Sequence, residues 1–387
     1  MNEQPSIQSI GHPIVYKAKL PADAQVTLST APDTVAVLAE MRALEGMQKE
    51  AIIHYGDTVW RMVSDEGPYL NGTDLAPFPL AFYTAGMAFS FMTELLRHAK
   101  AEEVEIRSIK TIQDNFYTME GSALRGDMIG GAKPVEISAD IDTDAPEALI
   151  SKIMMRAEAT SPAQAYMRDA LTNTFSLCLN GKRLDVKRVA ASPGALHDDP
   201  APKFDQISPQ ADDLPEIVTK LEAAQQVFGV EGGAGSSLQS EQKRTLHVRG
   251  ITTLREDGMK EAHVQLFKPI GSTFRFLCDD AADEGGLERA PAPLAYLTAG
   301  VGFCYMTQLG RYAHIMKQEL EAYRMVQQNI YKLAGPNSPA TNEPVDTHVY
   351  INFGEPDEAA QQLVNMGEQT CFLHAAMRAS VPSIIRA

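Results

Sequence analysis

Four cysteines occur in this 387-residue chain, and two of them stand at positions where thiol chemistry is plausible on physical grounds. Cys304 lies in Phe-Cys-Tyr-Met-Thr, within a long uncharged stretch. Cys371 follows 67 residues later, in Glu-Gln-Thr-Cys. Each has a serine in the matching context earlier in the chain: Ser90 in Phe-Ser-Phe-Met-Thr and Ser161 in Glu-Ala-Thr-Ser. Serine roughly keeps the volume and loses the redox chemistry, so one pair reads as active and the other as retired. Thr160-Ser161-Pro162 is a helix start, with Ser161 as N-cap and Pro162 at the first helical position. Cys371 inherits that place by alignment, and the orphan amides and dipole of a helix start favour a thiolate. Cys304 falls mid-helix in apolar surroundings, which raises a thiol's pKa, so it needs a cationic neighbour. Arg255 is the candidate, and Arg42 stands near the related place in the first half.

Plainer readings compete. A lone free cysteine is usually core, which is how Cys178 and Cys278 read, in or just after strand-like segments. His374 follows Cys371 by three residues and shares its helical face. A cysteine nucleophile activated by that imidazole would make a hydrolase or transferase. The bland account of His374 is a satisfied or solvent-facing helical histidine. A third reading is a small-molecule binding protein without turnover.

The elements that would hold these residues come from an internal repeat. Pro77–Arg97 and Pro291–Arg311 agree at twelve of twenty-one positions with an offset of 214. The offset holds for Gln113, Asn115 and Tyr117 against Gln327, Asn329 and Tyr331, then becomes 210 for Glu158, Thr160, Met167 and Arg168 against Glu368, Thr370, Met377 and Arg378. Two units follow, residues 35–189 and 243–387, joined by a Pro- and Gly-rich linker over 190–242 that is expected to cross the surface. Pro215 and the apolar spacing of Glu216–Val227 predict a short helix within it.

In the second unit, His247–Leu254, Glu261–Phe267 and Ser272–Leu277 read as an antiparallel meander. Pro293–His314, uncharged until Arg311, predicts a helix buried on all faces. Strands near Ala322–Leu333 and Asp346–Phe353 follow, then a helix over Glu358–Met366 and another from about Thr370. The fold class is α+β with segregated layers.

Composition sets the limits: 44% hydrophobic and 22% charged residues describe a globular chain. A net charge of −16, from 34 basic and 50 acidic residues, opposes contact with nucleic acid or an anionic membrane surface. No run of eighteen apolar residues occurs, and Met1–Gln8 lacks the order of a secretory signal, so the cytoplasm is the expected compartment. Reduced thiols are the rule there.

These residues resemble the osmotically induced protein C and organic hydroperoxide resistance family. The resemblance rests on Gly285-Gly286, the Pro291–Pro293 segment, Ala299-Gly300, Cys304, and a second cysteine opening a later helix in Cys371-Phe372-Leu373-His374. It implies two such repeats folded as an intramolecular pseudo-dimer, with antiparallel sheets around central buried helices. It also implies thiol-dependent reduction of organic hydroperoxides, with Cys304 attacking and Cys371 resolving the sulfenic acid as a disulfide. The helix-start argument favours Cys371 as the readier thiolate, and the two assignments stand side by side. Tyr296, Phe303, Tyr305 and Phe372 are the expected substrate lining. The implied partners are a small organic substrate and a dithiol reductant, with room for further homo-oligomerisation. No cofactor and no metal is expected. Two positions depart from the family: the glutamate ten residues before the first cysteine is Leu294, and the proline after the second is Phe372.

Overall fold

Two helices of 23 residues, α2 (Pro79–Ala101) and α5 (Pro293–Ile315), are apolar around most of their circumference and must be covered on every side. Each begins with a proline at its first turn, where the missing N–H costs nothing. The helices pack against each other, and glycine sets how closely. A Cβ on Gly86 would lie 2.5 Å from the Leu297 amide nitrogen, and one on Gly300 would lie 2.5 Å from that of Tyr83. These two glycines are themselves 214 residues apart, so the crossing is built alike from both sides.

The computed structural model describes residues 4–28, 31–223, 242–335 and 338–386. Its first half contains α1 (Ile7–Ile10), β1 (Val15–Lys19), β2 (Thr34–Ala43), β3 (Lys49–Tyr55), β4 (Thr58–Ser64), α2, β5 (Ser108–Gly121) and β6 (Ile129–Asp142). Then come α3 (Glu147–Thr160), α4 (Pro162–Arg168), β7 (Thr174–Leu179), β8 (Lys182–Leu184), β9 (Ala190–Ala191), β10 (Ser208–Pro209) and β11 (Val218–Glu222). The second half holds β12 (Gln242–Leu254), β13 (Lys260–Lys268), β14 (Thr273–Cys278), α5, β15 (Leu320–Lys332), β16 (Thr341–Asn342) and β17 (Asp346–Phe353). It ends with α6 (Asp357–Thr370), α7 (Phe372–Ala379) and β18 (Ser383–Arg386).

The strands form two sheets, both drawing on each half of the chain. One runs β10-β1-β4-β3-β2-β15-β17-β7-β8, with β16 on β15 and β9 on β7. The other runs β11-β14-β13-β12-β5-β6-β18. Pairing is antiparallel except β17 with β7, β7 with β9 and β18 with β6. The halves join along the long ladders of β2 with β15 and of β12 with β5, and again where β17 pairs β7 and β18 pairs β6. The helix α5 lies on β2, β3 and β15, and α2 lies on β12, β13, β5 and β14. Four layers result, sheet, helix, helix, sheet, and one continuous apolar core runs through them. No helix among the described residues is long and apolar enough to cross a membrane, which says nothing of a β-barrel.

The meander, the buried helix and the later strands and helices stand where the sequence patterns put them. The 190–242 segment does not behave as expected. Where a helix was predicted over Glu216–Val227, residues 218–222 form strand β11, paired with β14; residues 224–241 lie outside the described residues. The local spacing suits a helix, but β14 offers a free edge and the backbone bonds of an edge strand outweigh propensity. Nor does the segment merely cross the surface: Ile217 and Val218 enter the main core, and Phe204 packs with Leu20, Ala24 and Ile52.

Candidate functional site

Cys371 ends α6 and is the N-cap of α7, its backbone extended at φ −67 and ψ 120. Its N–H bonds back to the Gly367 carbonyl and its carbonyl accepts from Ala375, so the kink between the helices is fixed on both sides. Ser161 occupies the same place between α3 and α4 and accepts from the Gln164 amide. The sequence-predicted helix start is therefore real at both positions.

Cys304, midway along α5, reaches the same spot. The two thiols are free and buried, and each lies close enough to shift the other's acidity. The serine pair is joined likewise, with Ser90 Oγ and Ser161 Oγ 2.8 Å apart. His374 Nδ1 lies 3.2 Å from Cys371 Sγ. The imidazole is wholly buried between the rings of Phe175 and Tyr305. It is neither solvent-facing nor saturated, since its Nε2 has no hydrogen-bond partner among the described residues.

The two thiols are pushed in opposite directions. Burial raises Cys304 well above the usual thiol range, and an ionised Cys371 beside it raises it further. Burial would raise Cys371 too, but the Cys304 donor and the charge and Nδ1 of His374 outweigh it and hold this thiol well below its usual range. The His374 amide points the same way without closing a cap hydrogen bond.

Behind Cys304 lies a buried charged group that the sequence reading missed. Lys49, fully buried at the start of β3, faces Glu66, Asp65 and Cys304; burial pushes its ammonium down and those three oppose it. Glu66, pushed up by burial, accepts from Thr307 Oγ1 at 3.0 Å and Tyr69 Oη at 2.7 Å. Arg311, lowered by burial to about 10, adds charge beside Glu66 and Tyr69. It also lines a cleft of about 740 Å³ with Leu44, Met47, Leu70, Ile315 and Tyr323. The other half repeats the arrangement: Lys260 pairs with Asp280, which accepts from Thr93 Oγ1 at 2.8 Å. A visible trace existed, because Asp65-Glu66 matches Asp279-Asp280 at the 214 offset. The lysines escaped notice because their hairpins differ in length. Lys49 opposes Ser64 across β3 and β4, as Lys260 opposes Cys278 across β13 and β14.

Several predicted site residues fall elsewhere. Arg255 sits by the exposed turn between β12 and β13, held by Asp257 and Glu261. Arg42 bonds Glu50, which also takes Arg61, and covers the Phe204 ring at 4.6 Å. Both guanidiniums have carboxylate partners of their own and neither faces a sulfur. Tyr296 and Phe303 pack on Phe82 in the helix core, and Tyr296 Oη donates to the Leu277 carbonyl. Tyr305 and Phe372 do stand at the site, against His374 and Tyr117. Among the described residues no group of three or more His, Cys, Asp or Glu is placed to hold a metal ion.

Residues 284–386, which include both cysteines, match the family model for OsmC-like protein. An OsmC-like hydroperoxide resistance protein of solved structure, from Jannaschia sp. CCS1, is 26% identical over 30% of this chain and 75% of its own, with a TM-score of 0.21. No curated protein matches the chain.

Proposed function

We propose that this protein is a cysteine-based oxidoreductase that reduces organic hydroperoxides at the expense of a dithiol, through the Cys304/Cys371 pair. The observation that carries this reading is the convergence of two free, buried thiols, Cys304 from α5 and Cys371 at the start of α7, on one site beside His374. A sulfenic acid formed on either would meet the other thiol at once and condense to a disulfide. The OsmC-like match over 284–386 supports the same chemistry. In this reading the chain is a tandem duplication, units 35–189 and 243–387, folded as a pseudo-dimer whose halves exchange strands, and only the second unit keeps its thiols. A reducing cytoplasm would return the disulfide to thiols between turnovers. Incubation with cumene hydroperoxide and dithiothreitol tests it. Consumption of hydroperoxide and a Cys304–Cys371 disulfide in the peptide mass spectrum are expected; an inert protein with both thiols intact refutes it.

The contact of His374 with Cys371 favours a second reading, a cysteine hydrolase or acyltransferase. Accumulation of an acyl-enzyme on Cys371 from an activated ester, without oxidant, would establish it in place of the first.

A further inference from the structure

The thiol pair and the serine pair differ at more than the two sulfurs, and one further difference is chemical. Where the second half has Cys304, Cys371 and His374, the first has Ser90, Ser161 and Gln164, and His374 matches Gln164 at the 210 offset that relates Cys371 to Ser161. An imidazole thus accompanies the thiols and a neutral amide accompanies the hydroxyls. A core histidine kept only for packing has no reason to follow the sulfur. Its Nδ1 faces Cys371 Sγ at 3.2 Å, and its other nitrogen, fully buried, has no partner among the described residues. A buried polar atom left unpaired is destabilising, so packing alone does not explain this imidazole.

We propose that Cys371, with His374 as its proton partner, attacks the hydroperoxide, and that Cys304 is the resolving thiol. This rests on the oxidoreductase reading above and fixes its division of labour.

The steps balance. Cys371 gives its thiol proton to His374 Nδ1, 3.2 Å away, as it becomes the attacking thiolate. The thiolate attacks the distal oxygen of R–O–O–H; an S–O bond forms, the O–O bond breaks, and His374 gives its proton to the departing alkoxide as ROH. Sulfur is oxidised to the sulfenic acid and the peroxide is reduced. Cys304 then attacks that sulfur; the S–S bond forms, S–OH breaks, and hydroxide leaves as water with the Cys304 proton, relayed by His374. An external dithiol reduces the disulfide and restores both thiols. The order of acidity agrees: the sulfur paired with the imidazole is the one held low, and the one pushed up must wait for an electrophile.

The groups facing the reacting pair are Cys304 and Tyr305 from α5, Tyr83 from α2, Tyr117 from β5 and Glu368 from α6, with Lys49 and Glu66 beyond Cys304. Burial keeps Tyr117 and Tyr305 in the neutral form well past the neutral range, so they add no charge change there.

The test uses the full chain with Cys304→Ser, Cys371→Ser or His374→Gln. All three residues already occupy the matching places of the other pair, so folding is expected. Each protein is exposed to cumene hydroperoxide with dimedone as sulfenic-acid trap, and adducts are mapped by mass spectrometry. In Cys304→Ser a single adduct on Cys371 is expected, with no disulfide. Cys371→Ser removes the attacking sulfur and should give no adduct and no hydroperoxide consumption above the uncatalysed background. His374→Gln should be slowed by about 10- to 100-fold near neutral pH and recover as pH rises past the ordinary thiol range. A structural role for His374 would not tie its effect to pH. An adduct on Cys304 in Cys371→Ser at the wild-type rate overturns the assignment, as does an unchanged pH profile in His374→Gln. A wild type that consumes no hydroperoxide removes the oxidoreductase reading itself, an outcome separate from either of these.

Discussion

Ser90 Oγ lies 2.8 Å from Ser161 Oγ, in a buried contact that reproduces the meeting of Cys304 and Cys371 on the other side of the helix pair. The geometry for joining two side chains thus exists twice, while the chemistry exists once. Ser90→Cys with Ser161→Cys should therefore create a second oxidisable pair. Disulfide geometry needs Cα atoms less than about 7 Å apart, which a hydroxyl contact of this length permits. Diamide treatment followed by intact mass should show loss of four hydrogens rather than two. The engineered pair should react slowly with hydroperoxide, because Gln164 replaces the imidazole. Failure to oxidise under denaturant-free conditions would mean that the two sites are not equivalent.

Lys49 and Glu66 bear on stability before they bear on chemistry. Removing one partner of a buried charge pair leaves the other uncompensated, at a cost of about 3–5 kcal/mol. Lys49→Met should lower the thermal midpoint sharply. Lys49→Met combined with Glu66→Gln should recover much of the loss, since no charge is then left uncompensated, and of Thr307 and Tyr69 one can donate to the amide oxygen while the other accepts from the amide NH2. Additive losses in the double variant would show that the two do not act as a pair.

Much of the architecture was legible because its causes are local and periodic. The uncharged run from Pro293 could only be a buried helix, and alternation over Glu261–Phe267 could only be a half-buried strand. Cys371 as N-cap followed from Ser161-Pro162, whose helix-start chemistry is plain in the first half and hidden by Phe372 in the second. What failed was non-local. Val218 joins β14 opposite Phe276, just as Val15 joins β4 opposite Met62, and no local pattern at Val218 reveals that edge. Arg255, the cation expected beside Cys304, is held by Asp257 and Glu261, whereas the cation by Cys304, Lys49, comes from the other half of the chain. Strand exchange between halves makes site residues distant in sequence, so spacing alone could not find them.

The glycine crossing is a steric prediction. Gly300→Ala would place a methyl 2.5 Å from the Tyr83 nitrogen and Gly86→Ala one equally close to that of Leu297. The listeners to such a clash are backbone atoms of two buried helices, which cannot rotate away, so overpacking should cost at least about 1–3 kcal/mol. Gly354→Ala, with nothing within 4 Å of the added carbon, should change stability by less than about 0.5 kcal/mol. Urea denaturation of the three variants decides it; equal midpoints would show that the helices do not cross at these residues.

The opposed acidities of the two thiols make stability respond to pH with opposite sign in the two serine variants. In Cys304→Ser the remaining Cys371 is lowered on folding, the serine hydroxyl replacing the lost donor. Its contribution is full above the unfolded thiol value, about 8.5, and is lost as pH falls through the lower folded value. In Cys371→Ser the remaining Cys304 is raised by burial. Its contribution is full below about 8.5 and is lost as pH rises toward the higher folded value, because only the unfolded chain can then ionise. Each unit of separation is worth about 1.4 kcal/mol. Denaturant midpoints measured under reduction across the neutral to alkaline range, each subtracted from the double serine variant, should climb for Cys304→Ser and fall for Cys371→Ser. Two curves of the same sign would mean that His374 does not hold the Cys371 thiolate.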